Sequence, residues 1–296
     1  HHLFDIVRGT GKALRSNETD AEVTTTDELK AFNSDGFRLG TGGDVNASGT
    51  TTVGWAWDAG TSTATNNNGT ISSQVRANQT AGFSICTYSG SGSNGTWAHG
   101  LLTAPDLIIV KCRNVAQNWA VQHSAYGPTK YTYLQSTNAA STTGAAAFWN
   151  NTAPTNTTVS VGTDNDTNSS GKTYVAYCFS SIVGYNSLGK YVGNGNASGT
   201  FVFTGFRPAF ILVKNSSIVD NWEIYDSSRS AFNTTDHDLR PDTSQAEFSQ
   251  ISNNRSFDIL SNGFKVRGTN AGINGSGNTL VYAAFAENPF KTARAR

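Results

Sequence analysis

The chain has 296 residues, with 21 Lys plus Arg against 21 Asp plus Glu, so it is neutral at pH 7, and only 14% of its residues are charged. That balance argues against a nucleic-acid partner, which calls for a basic excess, and an aromatic content of 11% argues against disorder. No run approaches the roughly 18 consecutive apolar residues of a membrane span, and no charged-then-apolar leader opens the sequence, so no membrane insertion is expected.

Gly, Ser, Thr and Asn supply turns, and Phe, Tyr and Trp supply strands, while little favours helix. The expectation is an all-β chain of tandem antiparallel β-sandwich, jelly-roll-like domains. The chain has no methionine and opens on His1 and His2, directly before Leu3-Phe4-Asp5, which leads to the expectation of a fragment or cleaved product. Cys86, Cys112 and Cys178 have no spacing that suggests zinc or a redox pair and read as small core residues.

In chain order, Asp5 and Arg8 open the pattern, a short helical turn is expected around 26–31, and Asp35-Gly36-Phe37 marks a turn. Ser48-Gly49 then begins a segment ending Trp55-Ala56-Trp57, with Asn46 two residues ahead. The stretch 61–81 contains Asn66-Asn67-Asn68-Gly69 and reads as a linker. Beyond it, Phe83 and Ile85 share one face of a predicted strand. Gly90, Gly92 and Gly95 formally match a phosphate-binding fingerprint, but no amphipathic helix follows, and a hairpin loop is the expectation. Trp97 and Trp149, flanked by small polar residues, are the candidates for stacking on a glycan or partner, against the commoner role of filling a core. Leu107-Ile108-Ile109-Val110 is a continuous apolar run that belongs in a sheet covered on both faces.

Asp164-Asn165-Asp166-Thr167-Asn168 alternates oxygen ligands like a calcium loop but lacks the Gly at its sixth position and the Glu at its twelfth, so a solvated turn is expected. Ser170-Gly171 to Phe179 and Ser276-Gly277 to Phe285 repeat the earlier Ser48-Gly49 segment, with Asn168 and Asn274 in the place of Asn46. The aromatics at alternate positions, Tyr177 and Phe179 or Trp55 and Trp57, are expected to close one side of a sandwich. Asn118-Trp119 recurs as Asn221-Trp222, Ile109-Val110-Lys111 as Leu212-Val213-Lys214, and Asp5 with Arg8 as Asp226 with Arg229. A second helical turn is expected around 244–250.

Self-similarity at about 100 residues is a domain length rather than a solenoid length. It divides the chain into the back half of a first sandwich at 1–60, the linker 61–81, a second unit at 82–183 and a third at 184–296. A half-sandwich cannot cover its sheet, so its front half is expected to be cleaved but attached, omitted, or supplied by a neighbouring subunit. None of the five histidines falls at an equivalent position in two units, no nucleophile elbow is present, and Asp106, Glu223, Asp226 and Asp258 offer carboxylates without a reason to choose a pair. The reading is a non-enzyme without cofactor or metal.

The set Trp222-x-Ile224-Tyr225-Asp226-x-x-Arg229, Asp258 to Lys265, Ser276-Gly277 and Tyr282 to Lys291, which closes on Ala-Glu-Asn-Pro-Phe-Lys, resembles a repeated domain of uncharacterised function in virion structural proteins of marine tailed phages. The resemblance covers nearly the whole chain and identifies no active site. It implies a tail fibre, tailspike or capsid-surface component, located on the particle, whose partners are copies of itself and other virion proteins, with host-surface glycan as a further partner. A lectin-like glycan-binding module and a polysaccharide-cleaving enzyme are the alternatives.

Overall fold

The structure, a computed structural model, describes residues 1–290. The fold is all-β, built from antiparallel sheets stacked as sandwiches. In the second unit a seven-stranded sheet runs in the order Thr132–Tyr133, Trp119–His123, Leu107–Cys112, Thr173–Phe179, Phe83–Ser89, Ser73–Asn78, Thr63–Asn66. Against its inner face lie the pair Gly95–Ala98 and Thr158–Val161 and the short helix Ala145–Trp149. Tyr88, Ile108, Val110, Tyr174, Trp97 and Trp149 fill the space between. The turn at Gly92, with φ +72°, is a loop as expected but not a hairpin: the strands it joins, Phe83–Ser89 and Gly95–Ala98, lie in different sheets, so it carries the chain from one layer to the other.

The third unit repeats this order. Asn186–Val192, Thr279–Ala286, Pro208–Asn215 and Trp222–Asp226 form one sheet, and Ser198–Phe203, Gly263–Arg267 and Ser256–Leu260 form the other. In both units the last strand lies between the first and the third, while the second crosses to the opposite layer. Phe257, Phe264, Tyr191, Tyr225 and Ile211 occupy the core between.

Three sequence expectations change. The stretch 61–81 is not a linker: Thr63–Asn66 and Ser73–Asn78 extend the large sheet, and Ile71 and Val75 enter its core, because alternate apolar side chains suffice to cover one face. Around 26–31 the chain forms the strand Leu29–Asn33, hairpinned to Gly36–Leu39, and in the 244–250 region the strand Phe248–Ser249 precedes a single 3-10 turn at Ile251–Asn253. Tyr177 and Phe179 do not close their own sandwich; the inward residues of that strand are Tyr174, Ala176 and Cys178. The end of the third unit as drawn from sequence, 291–296, lies outside the described residues.

The apolar runs are explained by burial on both faces. The outer face of the seven-stranded sheet carries Phe83, Ile85, Leu107, Trp119, Val121 and Val175, and it is covered by the third unit through Leu188, Trp222 and Ala283 and by the first through Leu14 and Ala59. Among the described residues no helix is long and apolar enough to cross a membrane.

Trp149→Ala removes a fully buried ring and is expected to cost about 3–5 kcal/mol. Val183→Ala, at a side chain 99% exposed, is expected to stay within about 0.5 kcal/mol; urea unfolding of both variants checks the contrast.

Candidate functional site

The three repeats meet at one point. Trp57, Phe179 and Phe285, each nine residues after its Ser-Gly turn, touch one another edge to face, with ring centroids 6.4, 5.5 and 5.6 Å apart. The same position of each unit therefore contributes one ring to a shared aromatic trio; Phe83 stacks on Phe179, and Phe210 meets Trp57 edge to face. Edge-to-face pairs set the orientation of their partners as well as burying area.

A second set of contacts runs round this centre in one direction. In the first unit Asp5 caps its own turn, accepting from the amides of Val7 and Arg8 at 3.0 and 2.8 Å, and pairs with Arg8 Nε. The Arg8 guanidinium donates to Leu3 O and reaches Tyr177 Oη of the second unit at 3.2 Å, while Tyr177 donates to Asp5 at 2.8 Å. In the third unit Asp226 accepts from Ser228 and Arg229 amides, Arg229 donates to Ile224 O, and its guanidinium lies over the Trp55 ring of the first unit at 5.8 Å. Tyr177 and Trp55 are equivalent positions, seven residues after their turns. In the second unit His123 and Tyr126 stand where Asp and Arg stand in the others. His123 Nδ1 accepts the amide of Ala125 at 3.1 Å, its Nε2 meets Tyr282 O of the third unit at 3.3 Å, and Tyr126 donates to Val121 O. First touches second, second touches third, and third touches first, so the order is closed.

The lysines make a further joint. Lys111 and Lys214 are fully buried, and burial pushes each ammonium down to about 8. Lys111 Nζ donates at 2.8 Å to Gln117 O and to Thr19 O in the first unit; Trp119 Nε1 donates to Arg15 O beside it, at 3.0 Å. Lys214 Nζ likewise donates to Asp220 O and, at 2.8 Å, to Thr137 O in the second unit, with Trp222 Nε1 on Tyr133 O at 2.9 Å. Each lysine and tryptophan thus bind carbonyls of one loop in the preceding unit, a charge-assisted joint in a dry setting.

Asn168 and Asn274 act inside their units. Asn168 Nδ2 donates to Gly162 O and Ser93 O and its Oδ1 accepts from the Ser91 amide; Asn274 does the same with Gly268 O, Asn196 O and the Asn194 amide. Each side chain pins the glycine turn that crosses between layers.

The sequence-derived candidates fall elsewhere. Trp97 and Trp149 are both 0% exposed inside the second core, so neither ring has a face free for a sugar, and the expected exposure is corrected: large rings fill the thick centre of the sandwich. The acidic run is a turn in which Asp164 accepts the Asp166 amide, Asp166 holds Asn118 through both oxygens, and Asn168 is the clamp. Asp106 binds Ser124 and Ser181, Glu223 pairs with Arg255 and accepts from Tyr225 Oη, and Asp258 pairs with Arg267, so these carboxylates serve local structure. His2, Glu28 and Asp44 come together with ligand atoms within 4.8 Å of one another. Arg15 enters that cluster, donating from Nε to His2 Nε2 at 3.0 Å and lying 3.3 Å from Asp44, while His2 Nδ1 lies 3.3 Å from Glu28. The guanidinium supplies the positive charge there. A cleft of ≈ 380 Å³ lies beside Tyr131, Tyr133, Asn138 and Ser141.

Reading by sequence missed the joints. The recurrence of Lys111 and Lys214 was visible, but nothing in it indicated that they reach a different unit, and His123 escaped notice because it shares no chemistry with Asp5 beyond accepting an amide proton.

With this geometry established, comparison with known proteins gives one result. A family model described as a domain of unknown function (DUF7483) matches residues 1–289, across all three repeats. No curated protein and no solved structure matches the chain.

Burial pushes His99 and His123 down to about 4, below the ordinary value near 6.5. Each is neutral in the fold and takes a proton more readily when unfolded, so its contribution is complete above pH 6.5 and is lost as pH falls toward 4. Acidification from pH 7 to 5 is expected to remove about 2 kcal/mol per histidine. His123→Asn should flatten the slope between pH 6.5 and 5 by about half, read from urea midpoints across the range.

Proposed function

We propose that this chain, which belongs to the DUF7483 family, is a structural component of a phage virion, a tail fibre, tailspike or capsid-surface protein that assembles with copies of itself and with other virion proteins and presents loops to the host surface. The motif set Trp222 to Arg229, Asp258 to Lys265 and Tyr282 to Lys291 supports the phage assignment by resemblance. The observation that carries the structural reading is the closed order of repeats about Trp57, Phe179 and Phe285. A chain whose polar groups are spent on holding three repeat units in fixed relation, through buried lysines and capped turns, is built for shape. Its low charge and short side chains leave few extended, flexible sites for proteases.

A second reading, a glycan-binding module, rests on the cleft beside Tyr131, Tyr133 and Asn138, where half-buried aromatic rings adjoin amide and hydroxyl groups. It replaces Trp97 and Trp149 as the place to look.

The decisive measurement is mass spectrometry of gradient-purified particles from infected host cultures. Peptides of this chain should band with the particles in many copies each; their confinement to the unassembled lysate would overturn the virion reading. Glycan-array binding that is selective and falls at least about tenfold in Asn138→Ala would favour the second reading instead.

A further inference from the structure

The first unit leaves one strand position without neighbours, and the other two units show what belongs beside it. Thr173–Phe179 and Thr279–Ala286 are central strands, each laddered on both sides, to Phe83–Ser89 and Leu107–Cys112 in one unit and to Asn186–Val192 and Pro208–Asn215 in the other. Their counterpart in the first unit, 51–57, makes no backbone hydrogen bond on either side among the described residues. Bare amides and carbonyls along a chain this long form a template for strand addition.

Three further features mark the same place. Phe37, on the hairpin Leu29–Leu39, is 41% exposed, whereas its counterpart Phe264 is 0% exposed beneath Tyr191. The free edge of Gly36–Leu39 matches the edge of Gly263–Arg267 that pairs with Ser198–Phe203. Asn46 forms half of the clamp: its Nδ2 donates to Gly40 O at 2.7 Å, as Asn168 and Asn274 do to Gly162 and Gly268, but its Oδ1, which in those units takes a turn amide, has no donor among the described residues. Finally, the loop 240–244 corresponds to 15–19 and 133–137, the loops that receive Lys111 with Trp119 and Lys214 with Trp222. Among the described residues no lysine ammonium or tryptophan ring N–H donates to its carbonyls, and Asp242, which takes the Trp222 amide on Oδ2, has its Oδ1 buried without a partner.

We infer that this face docks the front half of a repeat of the same kind, supplied from outside the 296 residues: a first strand, a glycine turn, a crossing strand, and a third strand ending in a lysine. The first and third strands ladder onto the two edges of 51–57, the crossing strand covers Phe37 and pairs with Gly36–Leu39, the turn amide binds Asn46 Oδ1, and the lysine reaches the carbonyls of loop 240–244. The last contact completes the third inter-unit joint, so docking closes the ring that Lys111 and Lys214 leave two-thirds made. The inference holds wherever the protein is deployed.

The test joins a copy of residues 184–221 directly ahead of His1, because the alignment of Asp5 with Asp226 makes His1 the counterpart of Trp222, and compares it with the 296-residue chain by amide hydrogen exchange resolved over 51–57. Exchange there should slow at least about 100-fold in the joined protein. Lys214→Met in the added copy and Asn46→Ala should each return part of that protection while leaving exchange of Thr173–Phe179 unchanged. A second arm adds the same segment as a separate polypeptide, so that a misfolded fusion does not decide the matter. Unchanged exchange at 51–57 in both arms overturns the inference. So does protection in the 296-residue chain by itself that appears with a dimeric mass, since the occupant would then be a second copy.

Discussion

Each large sheet of this protein is apolar on both faces, and no single sandwich can bury both. The inner face is covered by the smaller layer of the same unit, but Phe83, Ile85, Leu107, Trp119 and Val121 point outward and need another unit against them. This constraint turns repeats of domain length into one body. Burial of such a face contributes about 25 cal/mol per Å² of apolar surface, and exposure of it would leave a patch prone to association. The trio of Trp57, Phe179 and Phe285 is the point where three such faces converge.

Apolar burial alone would hold the units together without fixing their relative rotation. The polar joints supply that. A buried lysine ammonium that donates to carbonyls of two units has few alternative positions, because any shift leaves a desolvated charge unpaired. Lys111 and Lys214 are therefore positioning groups at a cost, visible in the lowering of both toward 8. The Asp5 and Arg8 pair, its copy at Asp226 and Arg229, and the His123 and Tyr126 substitute show one geometric task met by different chemistry: cap a turn, hold the strand carbonyl before it, and touch the next unit.

The way the repeats are joined also separates what recurs from what varies. Asn168 and Asn274 recur because an amide side chain both accepts from and donates to backbone at the crossing turn, a combination that neither Asp nor a hydroxyl can reproduce in full. The acids of the run at Asp164 and Asp166 do not recur, in keeping with a local turn. A virion role and glycan binding would both draw on the loops rather than on this frame.

Composition and period by themselves determined that the chain is all-β and that runs such as Leu107 to Val110 lie in a sheet buried twice, because strand propensity, turn residues and alternation act over a few neighbours. They also singled out Asp5, Arg8, Lys111 and Asn168 as recurring. Tertiary structure decided the rest. Trp97 and Trp149 became core, the stretch 61–81 became strands, Tyr177 and Phe179 turned toward another unit, and His123 took the place of an aspartate. Each of these depends on which face of a strand meets which layer, and a one-residue change of register reverses that face without altering the local pattern.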